Sequence, residues 1–142
     1  MPIVHRIDHH RRLVVAEGRG IVTHQDVFGY QRDVWSRPEV AGYDELVDMS
    51  EVEDIALESV DRMRELAALS AKMDTASSAS RFAIVAPGET AFALGRMYAA
   101  LRGLNAGSAK RVEVFRTLED ALGYLGAGQW RRGAATPAVT TP

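Results

Sequence analysis

The 142-residue sequence contains no cysteine, which excludes a disulfide framework, a thiolate metal site and a cysteine nucleophile. Lysine is nearly missing as well. Arginine supplies all but two of the seventeen basic residues, the exceptions being Lys72 and Lys110. That bias is the codon signature of a GC-rich bacterial genome and carries no functional meaning by itself. No apolar run approaches the roughly 18 residues of a membrane span, and Met1 to Asp8 lacks the apolar centre of a signal peptide. A cytoplasmic location is the expectation that follows. Excess positive charge is also absent: the formal net charge is −2, whereas a general nucleic-acid binder needs a basic surface to displace counterions from phosphates.

What remains is ordinary for one compact domain, with 46% hydrophobic and 25% charged residues. Ile3–Ile7 and Leu13–Glu17 are short β-prone runs joined by a polar connection, which reads as a hairpin. Gly18 and Gly20 mark a bulge or strand exit. Thr23, with Asp26 three positions later, is a helix-start pattern. Val27, Tyr30 and Val34 then share one face of a helix running to about Ser36. Tyr43–Asp48 predicts a third strand, followed by an acidic turn over Ser50–Asp54 and a helix from about Glu58 to Met73. Phe82 to Val85 is a continuous apolar run of the kind seen in strands buried on both faces. Pro87-Gly88 breaks it before a helix from about Thr90 to Leu104. Arg111–Phe115 predicts the fifth strand, and Thr117 with Asp120 starts a last helix ending near Gly126.

The order is β-β-α-β-α-β-α-β-α, which implies an α/β fold with a mixed five-stranded sheet and four helices. Residues 1–126 form the expected domain, and 127–142, rich in Gly, Ala, Pro and Thr, an expected flexible tail. No internal repeat is evident.

Chemistry is sparse. Asp44 to Asp61 holds eight acids and no Lys or Arg, expected around the exit of the third strand and the next helix start. Acids there solvate a turn and oppose the positive end of a helix dipole; the same charges offer a docking surface for a partner. No spaced calcium-loop pattern accompanies them. His5, His9 and His10 lack a third ligand or an open coordination position, so no metal is expected. No serine sits in a glycine-flanked nucleophile elbow, and Gly18-Arg19-Gly20 and Gly126-Ala127-Gly128 lack complete phosphate-binding fingerprints. The expectation is a chain with no catalytic residues and no cofactor. Pro87, Gly88 and Thr90, where a buried strand turns into a helix, form the candidate ligand position, because free amides there can receive an anion.

The stretch Leu46-Val47-Asp48-Met49-Ser50-Glu51-Val52-Glu53-Asp54-Ile55 resembles the central segment of STAS domains, the fold of bacterial anti-sigma-factor antagonists. In those domains a strand ends in Asp, an apolar residue and a small polar residue, then valine and isoleucine before a helix. The order of elements matches from about Val4 to Leu125, and the whole chain resembles small bacterial SpoIIAA-like (STAS/Sec14-like) proteins. The antagonists open the following helix with Asp-Ser-Ser-Gly, whose second serine is phosphorylated to control partner binding. Here those positions read Ala56-Leu57-Glu58-Ser59, so the phosphoacceptor position holds Glu58, whose single charge only weakly imitates a phosphoserine. The resemblance thus implies a non-catalytic protein-binding or regulatory module without the phosphoserine switch. Its expected partner-binding edge is Asp48, Ser50, Glu58 and Ser59, and its partner an unidentified protein. The Sec14-like side implies an alternative, a carrier or sensor of a small apolar ligand or lipid. Its cavity would be lined by residues such as Phe28, Val34, Phe92 and Tyr98. A homodimer is a further expectation, since the opening hairpin exposes a strand edge.

Overall fold

The computed structural model describes residues 2–56, 59–74, 79–105 and 108–127. Five strands lie in the order β1-β2-β3-β4-β5: β1 (Ile3–Asp8), β2 (Leu13–Thr23), β3 (Asp44–Ala56), β4 (Ser80–Val85) and β5 (Lys110–Phe115). β1 pairs antiparallel with β2, and every later pair is parallel. Each parallel step therefore needs a crossover helix: α1 (His24–Trp35), α2 (Val60–Met73) and α3 (Glu89–Gly103). Strand order equals chain order, so right-handed crossovers put all three helices on one face. The last helix, α4 (Leu118–Leu125), covers the other. The element order and the mixed five-stranded sheet are those read from the sequence.

Strand alternation sorts the core. Leu13, Val15, Leu46, Ala83 and Val85 pack under Ala121, Leu122 and Leu125 of α4. On the opposite face, Phe82 and Ile84 meet Met63, Leu66 and Ala67 of α2 and Tyr98 of α3. Ile7 and Val14 meet Val34 and Trp35 of α1. The buried run at Phe82–Val85 is thus a strand covered on both sides.

The helix starts are local chemistry. The Thr23 hydroxyl accepts from the Asp26 amide while Asp26 accepts from the Thr23 amide, a reciprocal capping box. Thr117 accepts from the Asp120 amide in the same way, and Gly126, at φ 71°, ends α4 in the left-handed region.

One expectation is corrected. Ser50–Asp54 is not a turn: β3 runs on to Ala56 because β2 runs on to Thr23, and the two pair over Arg19–Thr23 and Glu51–Ala56. The register shifts after Glu17 and again after Gly20, where Gly20 takes φ 64°, so the glycines mark bulges rather than a strand exit. The outcome is a two-stranded ribbon extending past β4, which meets β3 only over Glu45–Asp48. The ribbon takes up the residues that separated strand from helix, so α2 begins at Val60 rather than at Glu58. Glu58 and the proposed tail beyond Ala127 lie outside the described residues.

Candidate functional site

Glu45 lies two residues before Val47, so alternation points both toward the three-helix face. Its carboxylate is 2% exposed and fully engaged. Oε1 accepts from Lys110 Nζ at 3.0 Å, and Oε2 accepts from the Tyr30 hydroxyl at 2.8 Å and Trp35 Nε1 at 3.1 Å. The Lys110 ammonium also stands 3.1 Å from the Trp35 ring centroid, a cation–π contact. Burial lowers the Lys110 pKa despite the opposing pull of Glu45. The Tyr30 phenol rises well above its ordinary value, chiefly through burial and then through the Glu45 charge.

A second buried network adjoins it. Arg102 donates from Nη2 to Asp74 Oδ1 at 2.5 Å and from Nη1 to the Tyr98 hydroxyl at 2.6 Å. Asp74 Oδ2 accepts from the Ser108 hydroxyl and the Ala109 amide. The Ser70 hydroxyl donates to Gln31 Oε1 at 3.0 Å. These bonds tie α1, α2, α3 and the start of β5 together below the sheet centre. Burial pushes the Tyr98 phenol up to about 12 even though the Arg102 charge acts the other way.

Above this polar floor lies a cavity of about 120 Å³ between sheet and helices. The sheet contributes Ala16 and Gly18 from β2, Val47 and Met49 from β3, and Phe82 and Ile84 from β4. The helices contribute Val27, Met63 and Leu66, together with Ala91, Leu94 and Gly95 of α3. Tyr30, Gln31, Glu45 and Tyr98 close the inner end. Val27, Met49, Ile55, Ala91 and Leu94 are half-buried and mark the outer end, beyond the carboxyl ends of the strands, where open α/β sheets bind ligands. Small residues shape the space. A Cβ on Gly95 would come within 3.2 Å of Val114, so glycine lets α3 sit close on β5. A Cβ on Gly18 would meet Val52 at 2.8 Å, so glycine lets the ribbon fold over the outer end.

The positions singled out in the sequence are placed as follows. Asp48 is buried, and its Oδ1 accepts from the Ser50 amide at 3.0 Å and the Ser50 hydroxyl at 2.6 Å. That pair staples the bulge where β3 leaves the central sheet. The Ser59 hydroxyl caps α2 by accepting from the Arg62 amide at 3.2 Å. The eight acids do not share one surface, because Glu45 and Asp48 are core groups and Asp44 accepts from the Arg81 amide. Gly88 is the N-cap of α3 without a side-chain cap, Thr90 is exposed, and the Pro87 carbonyl accepts from Arg116, which pairs with Glu89. None of Pro87, Gly88 and Thr90 lines the cavity. Of Phe28, Val34, Phe92 and Tyr98, only Tyr98 does; Val34 fills the core under α1, and Phe28 and Phe92 pack beside the α2–α3 cluster.

The histidines are dispersed: His9 Nδ1 lies 2.7 Å from the Tyr43 hydroxyl, and His24 stacks edge-on against Phe28. Among the described residues no three His, Cys, Asp or Glu side chains form a metal-binding group. No helix among them is long and apolar enough to cross a membrane. Sequence reading missed Glu45, Lys110, Tyr30 and Arg102. The one available signal was an acid two residues from Val47 and a lysine two from Val112, each on the inward side of an alternating strand.

The fold is an α/β domain of SpoIIAA-like type. The likeness is to an uncharacterized protein of the DUF3478 family with a SpoIIAA-like fold from Shewanella loihica PV-4. It has a TM-score of 0.54 and 21% identity over 87% of this chain and 93% of that one. No protein-family model matches the chain, and no curated protein matches it in sequence.

Proposed function

We propose that this chain is a non-catalytic binding module that takes a small apolar ligand into the cavity between its sheet and helices. The observation that carries the reading is the apolar space of about 120 Å³ standing on a hydrogen-bonded polar floor. A dry cavity of about 150 Å³ lined by aliphatic and aromatic side chains is enough to bind benzene. The size suits a single ring or the end of an alkyl chain. The non-catalytic part rests on the lining: its polar members are Tyr30, Gln31, Glu45 and Tyr98, each held in a structural hydrogen bond. The Tyr30 hydroxyl does meet a carboxylate, but Glu45 is already held by Lys110 and Trp35. Burial and the Glu45 charge keep the phenol protonated, so the pair is a poor nucleophile and base.

Native mass spectrometry of protein purified from its own host tests the proposal, together with a benzene titration followed by the methyl resonances of Met49 and Met63. A retained small molecule, or saturable shifts at both methyls, is the expected result. Protein that carries nothing and shows no benzene-dependent shift sinks it.

A protein-docking reading keeps one observation in its favour. The β2–β3 ribbon carries exposed Glu51, Glu53 and Asp54 beside the cavity's outer end, a surface suited to a basic partner. Salt-sensitive capture of a partner that a Glu53→Lys change abolishes would support it; capture unchanged by that substitution would not.

A further inference from the structure

β5 is the outer strand of the sheet on the side away from the hairpin. The carbonyls of Ala109 and Phe115 accept from Ser80 and Ala86 on the β4 side. By alternation Arg111 and Glu113 also bond toward β4, which leaves the peptide groups of Lys110, Val112 and Val114 pointing outward. An edge with which no other described strand pairs is a template for another strand. The side chains alternate as well: Val112 and Val114 pack toward α3, while Arg111 and Glu113 are exposed on the opposite face. Neither charge forms a salt bridge with another described residue.

We propose that the β5 edge pairs with the β5 edge of a second copy of this chain, antiparallel about a two-fold axis through Val112. In that register Val112 faces Val112, and Lys110 faces Val114, so the outward peptide groups of both copies meet one another. Arg111 of each copy then stands opposite Glu113 of the other, in the non-hydrogen-bonded pair whose side chains approach most closely. A shift by two residues in either direction would keep the backbone bonds but place Glu113 against Glu113 or Arg111 against Arg111. Charge therefore selects one register out of those the backbone permits. Beside the edge, a groove of about 340 Å³ runs between β5 and α3, bordered by Arg96, Ala99 and Ala100. The small alanines leave room for the two α3 helices to approach across the axis. The β1 edge is less suited: Pro2 bonds toward β2 through its carbonyl, so self-pairing centred on His5 sets Arg6 against Val4. Pairing centred on Ile7 sets Arg6 against Asp8, whose carboxylate Arg11 already holds.

The test is sedimentation of the full chain over a concentration series, for wild type, Arg111→Glu, Glu113→Arg and an equimolar mixture of the two variants. Wild type is expected to dimerise. Each variant alone sets like charges against each other twice and is expected to weaken the dimer by about tenfold or more. The mixture restores opposite charges at both pairs and is expected to recover wild-type association. A monomeric wild type, or variants that associate as wild type does, overturns the proposal. Hydrogen exchange on the wild type gives a check that needs no variant to fold. The amides of Lys110, Val112 and Val114 slow with rising concentration if the edge is shared between copies. Protection that ignores concentration, as from the chain's own carboxyl-terminal segment lying on the edge, would equally rule the dimer out.

Discussion

Glu45 and Lys110 come from strands separated by β4 and meet beneath Tyr30 and Trp35, with both side chains at most 5% exposed. Removing one member leaves the other charge buried and unpaired, which costs about 3–5 kcal/mol. Lys110→Met and Glu45→Leu are each expected to lower the unfolding free energy by that amount. The double variant is expected to recover much of it, because Trp35 Nε1 keeps its 3.0 Å bond to the Tyr30 hydroxyl. Urea denaturation of the four proteins closes the cycle, and strict additivity would show the charges to be uncoupled. Tyr98 makes a pH-dependent contribution. Unfolded, its phenol ionises near 10, whereas burial holds it protonated in the fold to about 12. Between those values the native state binds the extra proton, so the linked stability is whole below pH 10 and disappears as pH rises through 12. Tyr98→Phe removes an acceptor from buried Arg102 and is expected to cost about 1–3 kcal/mol at neutral pH. Its denaturation series should also decline less between pH 10 and 12 than that of wild type.

At the scale of elements, what the sequence disclosed was local. Thr23 and Asp26 announce α1 because one hydroxyl and one carboxylate satisfy amides three residues away. Thr23→Ala is expected to lower the melting stability by about 1 kcal/mol, with circular dichroism showing no loss of the other helices. Phe82–Val85 declares a doubly covered strand by being apolar at every position. The ribbon was illegible for the opposite reason. Glu51, Glu53 and Asp54 look like a solvated turn, and only pairing with Arg19–Thr23, some thirty residues earlier, makes them strand. A bulge at Gly18 decides that pairing, and the need for glycine there comes from Val52 on the other strand. The candidate site divides in the same way. Asp48 and Ser50 could be found as a pair from their spacing, but that they bond each other inside a bulge depends on tertiary register. Tyr98 was read as lining the expected cavity together with Phe28, Val34 and Phe92, whereas that it alone of the four does so depends on where three helices cross the sheet.

For the molecule as a whole, the cavity trades stability for space. An enclosed void of about 120 Å³ would forgo roughly 3 kcal/mol at about 24 cal/mol per Å³, an upper bound for a space open at its outer end and still a large part of a domain's net stability. The polar floor explains how the chain tolerates it. The Glu45–Lys110 and Arg102–Asp74 networks lock α1, α2, α3 and β5 below the void, so the helices cannot settle inward to close it. Filling the space should therefore stabilise the protein and abolish its ligand capacity together. Val47→Ile adds one methylene at a β-strand position that favours branched side chains, with an expected gain of about 0.8 kcal/mol. Ala91→Leu adds three carbons at the half-buried outer end, with an expected gain of about 1–2 kcal/mol. If the space were already tightly packed, the same changes would cost about 1–3 kcal/mol through forced rotamers and backbone shifts. The sign of the change in urea midpoint decides between the two. Combined in one protein, the substitutions should also remove the benzene-dependent shifts at Met49 and Met63. A stabilised double variant that still binds benzene would place the ligand somewhere other than between α1, α2, α3 and the sheet.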